Sequence, residues 1–370
     1  MTLREGAAAP SRQSYSRVTL ATEPATVSLQ GGTGFEAIAE QEHAPGVGPW
    51  RLAGRRLRRN KVAIAFGILF IVLVLMAVAA PLWAHNVAHT GAFANHLTEQ
   101  IKEGNKQVNV VAFTGVPVGP QWFKAGGRFF LGADGNGRDI MVRLLYGART
   151  SLEIGIAAAL ITAILAVFVG LLAGYFRGPV DTVFSRVMDV LWAFPVVILG
   201  VALGTALNLG GLTVGPVTIK SGSTAIPIII IGFVYVPYIA RPIRGQVLSL
   251  REKEFIEAAR AQGAGSWRIM FTEVLPNLSS TIIVFVPLAV ANAIILEAYL
   301  SFLGAGVQPP TPSWGEMINE GIDKITTAPH LTIVPGLMLV LTVLALNIFG
   351  DGVRDAFDPR AKVRVEKGAA

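Results

Sequence analysis

The chain has 370 residues, 52% of them hydrophobic and 15% charged, with a formal net charge of +7 and no cysteine. A soluble globular chain usually carries about 25% charged residues, so this composition, with a mean hydropathy of +0.55, points to an integral membrane protein. The missing cysteines exclude a disulfide framework, a thiol nucleophile and a Cys-ligated metal site, and the basic excess suits the cytoplasmic loops of a membrane protein better than a nucleic-acid surface.

Residues 1–50 are rich in Ala, Gly, Ser, Thr and Pro and show no sustained period, as expected of a disordered cytoplasmic tail. They make a poor signal peptide, because the first apolar run lies far from Met1; Ala77, Ala79 and Ala80 only mimic a cleavage site. Arg51, Arg55, Arg56, Arg58, Arg59 and Lys61 form a basic cluster against the first apolar run, Val62 to about Trp83. Residues 84–150 are mixed and polar. Further runs of membrane-spanning length lie at about 152–176, 186–208, 224–248, 279–303 and 331–350. None alternates apolar and polar residues as a transmembrane β-barrel requires. The expectation is an all-α polytopic membrane protein with six transmembrane helices. The segment 51–150 holds the first helix and a long extracytoplasmic loop, 151–350 the core, and 351–370 a C-terminal tail.

An even number of spans puts both ends on one side, and basic residues choose the side. The cluster at 51–61 puts the N-terminus in the cytoplasm. Arg177 and Arg186, then Arg251, Lys253, Arg260 and Arg268, then Arg354, Arg360, Lys362, Arg364 and Lys367 fall on that side too. Two of the opposite loops carry one lysine each, Lys220 and Lys324. The long 84–150 loop is basic as well, with Lys102, Lys106, Lys124, Arg128, Arg138, Arg143 and Arg149, but long loops translocate largely regardless of charge.

Between the fourth and fifth spans lies a charged, glycine-punctuated island, EFIEAARAQGAGSWRIMFTEVLPN, residues 254–277. Residues 252–262 read as a short helix with Phe255, Ala258, Ala259 and Gln262 on one mostly small face. Gly263 stands where a C-terminal helix glycine would, Gly265 adds a bend, Ser266 can cap a second short helix, and Pro276 breaks the chain before the fifth span. By physics alone this is either an ordinary interfacial loop or a surface that another protein grips.

Here the residues resemble a family. Glu257-Ala258-Ala259, then Gly263, then Leu275-Pro276 look like the EAA loop of ABC importer permeases. LGADGNGRDIMVRLLYGARTSL (131–152), EAYLSFLGAGVQPPTPSWGEMINEG (297–321) and GDGVRDAFDPR (350–360) are similar to segments of the "C" type dipeptide and oligopeptide permeases. The resemblance runs from about Arg51 to Arg364. Departures are Glu273, where the general pattern prefers Ile, the long N-terminal tail, and extra length around 85–125. The resemblance implies a type I ABC importer permease fold in a bacterial inner membrane, with Glu257, Ala258, Ala259, Gly263, Leu275 and Pro276 coupling to an ATPase. It implies as partners a second permease in a heterodimer, two ATP-binding subunits, and an extracytoplasmic substrate-binding protein. The implied cargo is a di- or oligopeptide, with nickel chelates or another small solute as alternatives.

The residues themselves agree with that division of labour. No Gly-Lys pair occurs in the chain, so a phosphate loop of the Walker type is excluded and ATP, if used, binds elsewhere. No enzyme constellation, cofactor motif or nucleic-acid partner is expected, and the bilayer itself is the solvent. His85 and His89, at i and i+4, lack a third metal ligand at a supporting spacing, so no metal site is expected; His96 and His330 also fall in or near outer loops. Glu297 lies inside the fifth span, where an ionisable residue is costly; it either faces the translocation path or pairs with a neighbouring helix. An ion-coupled secondary transporter would need more such groups. Asp189 and Glu153 sit near span ends in structural roles. Pro195, Pro227, Pro237, Pro242, Pro287 and Pro335 recur in the spans as kink sites. Gln308, Pro309, Pro310, Pro312 and Trp314 form a stiff outer loop, in which Trp314 either meets a binding protein or anchors at headgroup level. The stretch 137–152 reads as an amphipathic helix on the outer interface.

Overall fold

The computed structural model of the chain describes residues 49–103, 106–124 and 126–357. The tail assigned to 1–50 lies outside them but for its last two residues, and so do Arg360, Lys362, Arg364 and Lys367. Helix α1 (Pro49–Arg59) leads to α2 (Lys61–Val78), whose first turn is capped by Asn60 accepting from the Ala63 N–H at 3.1 Å. A short α3 (Ala80–Trp83) and a π-helical turn (Ala84–Ala88) extend it. Helix α4 (Ile140–Phe176) opens on Asp139, which accepts from the Val142 N–H at 3.1 Å. Its 37 residues make it about 55 Å long at ~1.5 Å per residue. Then come α5 (Gly178–Ala193), α6 (Val196–Gly210), α7 (Ala225–Val234), α8 (Val236–Leu250), α9 (Glu254–Ala261), α10 (Ser266–Arg268), a π-helical segment (Ile269–Val274) and α11 (Leu275–Phe302). Helices α12 (Trp314–Ile322) and α13 (His330–Phe357) complete the order.

Five stretches are long and apolar enough to cross a membrane: Lys61–Val78, Ile140–Phe176, Ala225–Leu250, Ser266–Phe302 and His330–Phe357. The third predicted span, 186–208, is not a straight helix. It straddles the junction of α5 and α6, which bend by 87°, and counts as a sixth crossing only if the pair is one broken span. Pro195 is the cause. Its ring disfavours the helical region for the preceding residue, and Phe194 sits at φ −97°, ψ 140°. Hydropathy, which reads composition and not φ, runs straight across the break.

Helix α4 is the axis against which α7, α8 and α11 pack. Gly170 and Gly174 let α8 come close: a Cβ on Gly170 would fall 2.9 Å from the Ala240 carbonyl oxygen, and one on Gly174 2.9 Å from that of Arg244. Small-residue contacts of this kind serve where lipid removes the hydrophobic drive between helices. The outer faces stay apolar. Ile333, Leu337, Val340 and Leu344 of α13 are all exposed at helical spacing, as a lipid-facing stripe requires.

Two additions lie outside the all-α expectation. Strands β1 (Gln100–Glu103) and β2 (Lys106–Asn109) pair antiparallel with Gln100 opposite Asn109; β3 (Leu212–Val214) and β4 (Val217–Ile219) pair with Leu212 opposite Ile219. The segment read as mixed and polar between the first two spans thus folds on its own apolar cluster of Ile101, Val110, Val118, Phe129 and Ala133.

Candidate functional site

Helix α9 and the turn after it stand out at the end of the bundle where α4 and α8 finish. One residue of α9, Ile256, is fully buried and joins the core beside Val247, Ile269, Met270 and Val274. Phe255 is 40% exposed, and Glu257, Ala258, Ala261 and Gln262 are also exposed. The helix is therefore held from beneath and offers a small-residue face outward. Ala259 is half-buried.

Gly263 ends α9 at φ +82°, the left-handed region that a side chain avoids. Its N–H donates to the Arg260 carbonyl at 2.9 Å, and the Ala264 N–H donates to the Ala259 carbonyl at 3.0 Å. These are the two bonds of a Schellman motif, so the predicted glycine stop has the predicted chemistry. The supports come from neighbouring helix ends. Arg260 and Arg251 lie 5.8 and 5.9 Å from the Tyr175 ring centroid, the Arg251 guanidinium donates to the Tyr175 carbonyl, and Arg177 pairs with Glu252 at 2.5 Å.

The second half of the island differs from the sequence expectation. Ser266 does not cap; it lies inside α10, and Gly265 holds the N-cap position without a side-chain bond. Pro276 does not break the chain. It lies inside one continuous helical stretch, Ser266–Phe302, directly after the π-helical segment that joins α10 to α11, and a local π adjustment of this kind accommodates a proline within a membrane helix. The Asn277 amide donates to the Glu273 carbonyl at 2.7 Å. Leu275 is half-buried and Pro276 exposed. Trp267 and Phe271, both more than half exposed, stack with centroids 6.1 Å apart beside Phe176.

Glu297 lies at the other end of α11, fully buried. The Ser301 hydroxyl donates to its Oε1 at 2.7 Å and the Ser151 hydroxyl to its Oε2 at 2.8 Å. Those hydroxyls accept in turn from the N–H groups of Val307 (3.0 Å) and Trp314 (3.2 Å). One carboxyl thereby ties α4, α11, the connecting loop and the start of α12 together.

A second buried network lies nearby, and sequence reasoning missed it. Arg143, 1% exposed, reaches Glu316 at 3.0 Å and Glu320 at 2.8 Å through Nη2, and Asp134 at 3.5 Å through Nε. Arg138 pairs with Asp134 at 2.6 Å and Glu320 at 2.7 Å. Burial, reinforced by the hydrogen bond and charge of Glu320, pushes the Glu316 carboxyl up to about 8. Glu320 stays below its ordinary value despite burial, because it accepts from Glu316 and from the Arg138 guanidinium. The start of α4 is consequently not an amphipathic helix on an interface. Arg138 and Arg143 face inward against α12, and of the three arginines there only Arg149 is exposed. Trp314 is likewise no loop anchor: it is fully buried in the first turn of α12.

The remaining singled-out residues are quickly placed. Asp189 meets Arg241 at 2.9 Å, and Glu153 is exposed. His85 bonds the Asn86 side chain at 2.9 Å, and His96 pairs with Glu99 at 2.7 Å. His330 opens α13 and is half-buried. Among the described residues no group of three His, Asp or Glu side chains could hold a metal ion.

Comparison with known proteins gives consistent matches. The family described as binding-protein-dependent transport system inner membrane component matches residues 166–363, and that described as N-terminal TM domain of oligopeptide transport permease C matches residues 48–98. The chain is 38% identical over 314 residues to a glutathione transport system permease protein, GsiD, of Pectobacterium atrosepticum, covering 85% of this chain and 92% of the relative. It is 37% identical over 316 residues to a dipeptide transport system permease protein, DppC, of Alkalihalophilus pseudofirmus, covering 85% and 91%. Among solved structures, an inward-facing MetNI methionine ABC transporter matches with a TM-score of 0.48 at 20% identity, covering 59% of this chain and 97% of that one.

Proposed function

The chain belongs to the family of binding-protein-dependent transport system inner membrane components, and on that premise we propose that it forms one half of the translocation pore of an ATP-driven importer for di- or oligopeptides. Relatives named for glutathione and dipeptide transport support a small peptide as cargo. Nickel chelates and other small solutes are the competing cargoes. Family membership sets aside the ion-coupled secondary transporter. Both chain termini lie in the cytoplasm of a bacterial cell, and the module at 84–139 lies outside the inner membrane. The partners are a second permease, two ATP-binding subunits and an extracytoplasmic substrate-binding protein.

The observation that carries the reading is α9: exposed on its small-residue face, buried at Ile256 and stopped by a left-handed Gly263. A rigid, shallow knob is what a cleft on an ATPase needs in order to push a membrane helix. Closure of the ATPase pair pulls on residues 255–268. The pull passes without a joint into α11, because α10, the π-helical segment and α11 are continuous. The spans shift outward-open, the binding protein releases cargo into the pore, and hydrolysis resets the bundle. Glu257 supplies charge at the knob; Leu275 and Pro276 set the start of α11. Glu297 acts by helix pairing, fastening α12 to α4 and α11.

The chain has no cysteine, so Ala258→Cys creates a single thiol on the exposed face. In the purified complex it should cross-link through a short spacer to a chain bearing a Walker phosphate loop, and nucleotide should change the yield. Cross-linking only to lipid or to a second copy of this chain would sink the proposal.

A further inference from the structure

The module between α3 and α4 carries a feature that transport does not use. Phe130 is the hub of an aromatic cluster: its ring centroid lies 5.7 Å from that of Trp83, 5.2 Å from Trp122 and 5.0 Å from Phe123, all edge-on. Phe130 and Trp83 are half-buried, but Trp122 is 53% and Phe123 69% exposed. The turn that presents them is closed by the N–H groups of Gln121 and Trp122 donating to the carbonyls of Phe129 (3.1 Å) and Phe130 (3.0 Å). Both Trp122 and Phe129 sit at positive φ, +53° and +52°, a conformation bulky residues avoid. The chain thus holds two large rings outward in a strained turn.

Their level relative to the first span says what they meet. Trp83 follows Lys61, the start of α2, by 22 residues, which is about 33 Å of helix. The hydrocarbon core of a bilayer is about 30 Å thick. Trp83 therefore marks the far boundary of the membrane, and Phe130, with Trp122 and Phe123 packed on it, clusters beside that ring. Val78 and Leu82, just below, are 67% and 64% exposed, as a lipid-facing surface would be. Exposed Lys124 follows Phe123, where an ammonium would reach headgroup phosphates.

We infer that Trp122 and Phe123, packed on Phe130, form a membrane-interface anchor: they enter the headgroup and upper acyl region of the bilayer and hold the segment between α3 and α4 against it. The Trp122 indole, an apolar body with a polar N–H edge, favours that boundary, and the Phe123 ring beside it adds apolar area. The continuity of the cluster with the end of the span, through Trp83, favours lipid over a soluble protein as the occupant.

Because the chain lacks cysteine, Phe123→Cys gives one thiol for an environment-sensitive fluorophore. The fully exposed Phe113, on the turn where Gly115 accepts from Lys324 at 2.9 Å, is the control as Phe113→Cys. Each labelled chain, in the complex in which it purifies, goes into nanodiscs and is quenched by nitroxide-bearing lipid or by aqueous iodide. Lipid nitroxide should quench the label at 123 several-fold more than at 113, and iodide should do the reverse. Equal iodide quenching with no lipid quenching at 123 would overturn the inference. So would shielding that appears only when soluble binding protein is added. If a label at 123 disturbs the turn, Lys124→Cys reports on the same boundary one residue on, with the same expected and contrary outcomes.

Discussion

Replacing Gly263 separates backbone geometry from contact, because nothing lies within 4 Å of a Cβ built there. Gly263→Ala then costs only the left-handed backbone, about 1–2 kcal/mol. Gly263→Pro does more. Proline fixes φ near about −65°, whereas the turn needs +82°. The N–H that donates to Arg260 disappears, and the Ala264 bond to Ala259 loses its alignment. Two hydrogen bonds at about 1 kcal/mol each plus the backbone term bring the loss to about 3–4 kcal/mol. Gly263→Asn tolerates the conformation and serves as the conservative control. Amide hydrogen exchange at Ala264 reads the turn, and uptake into proteoliposomes reads coupling. Exchange should rise by about 5- to 30-fold for Ala, more for Pro and little for Asn. Uptake should fail for Pro while membrane insertion persists. Full uptake by Gly263→Pro, or an Ala264 amide that stays protected in it, would refute the role given to this turn.

Four further outcomes are expected. Glu257→Arg reverses the charge of an exposed α9 residue and should abolish uptake with fold and insertion intact; purified protein of unchanged melting temperature that also transports normally would contradict this. Arg143→Leu takes the cation from buried Glu316 while Arg138 still holds Glu320, and should cost about 3 kcal/mol, whereas exposed Arg149→Ala should stay within about 0.5 kcal/mol; equal melting temperatures for the two would be the wrong result. The Glu316 carboxyl is raised to about 8, so the folded state holds a proton that the unfolded chain releases in the ordinary carboxylate range. The stability it confers is complete below that range and is lost as pH rises through about 8. Thermal melts should therefore fall between about pH 5 and 8 and level off above that, and Glu316→Gln should flatten that slope. Glu297→Ala, which strips the acceptor from two buried hydroxyls, should destabilise by about 2–3 kcal/mol at about 1–1.5 per lost bond, with the melting temperature as readout.

Much of the bundle was legible because membrane crossing demands long apolar runs, and composition reports those directly. The α9 turn was legible for a local reason: glycine at the end of a short amphipathic pattern has few other uses. The bend at Pro195 was legible as one of the proline kink sites, but its size of 87° was not, since apolarity continues through the break and only the backbone angle changes. The Arg143 network was hidden by distance along the chain. Glu316 and Glu320 stand 173 and 177 residues away, and an arginine among leucines at helical spacing looks the same whether water or a carboxylate covers it. The i, i+4 spacing of Glu316 and Glu320 was a faint signal that one buried cation serves both. Trp314 was misjudged on the same ground: proline-rich flanks suggest a surface loop, but a fully buried ring shows the loop folding back onto α4 and α11.

A gentle detergent pull-down of the tagged chain, beside the Gly263→Pro variant, with mass spectrometry of what co-purifies, tests most directly whether α9 couples this chain to an ATPase. A Walker-bearing ATPase and a second permease should accompany the unmodified chain, and the ATPase alone should be lost from the variant. Recovery of the chain by itself, or of the ATPase equally with both forms, would contradict the coupling assignment.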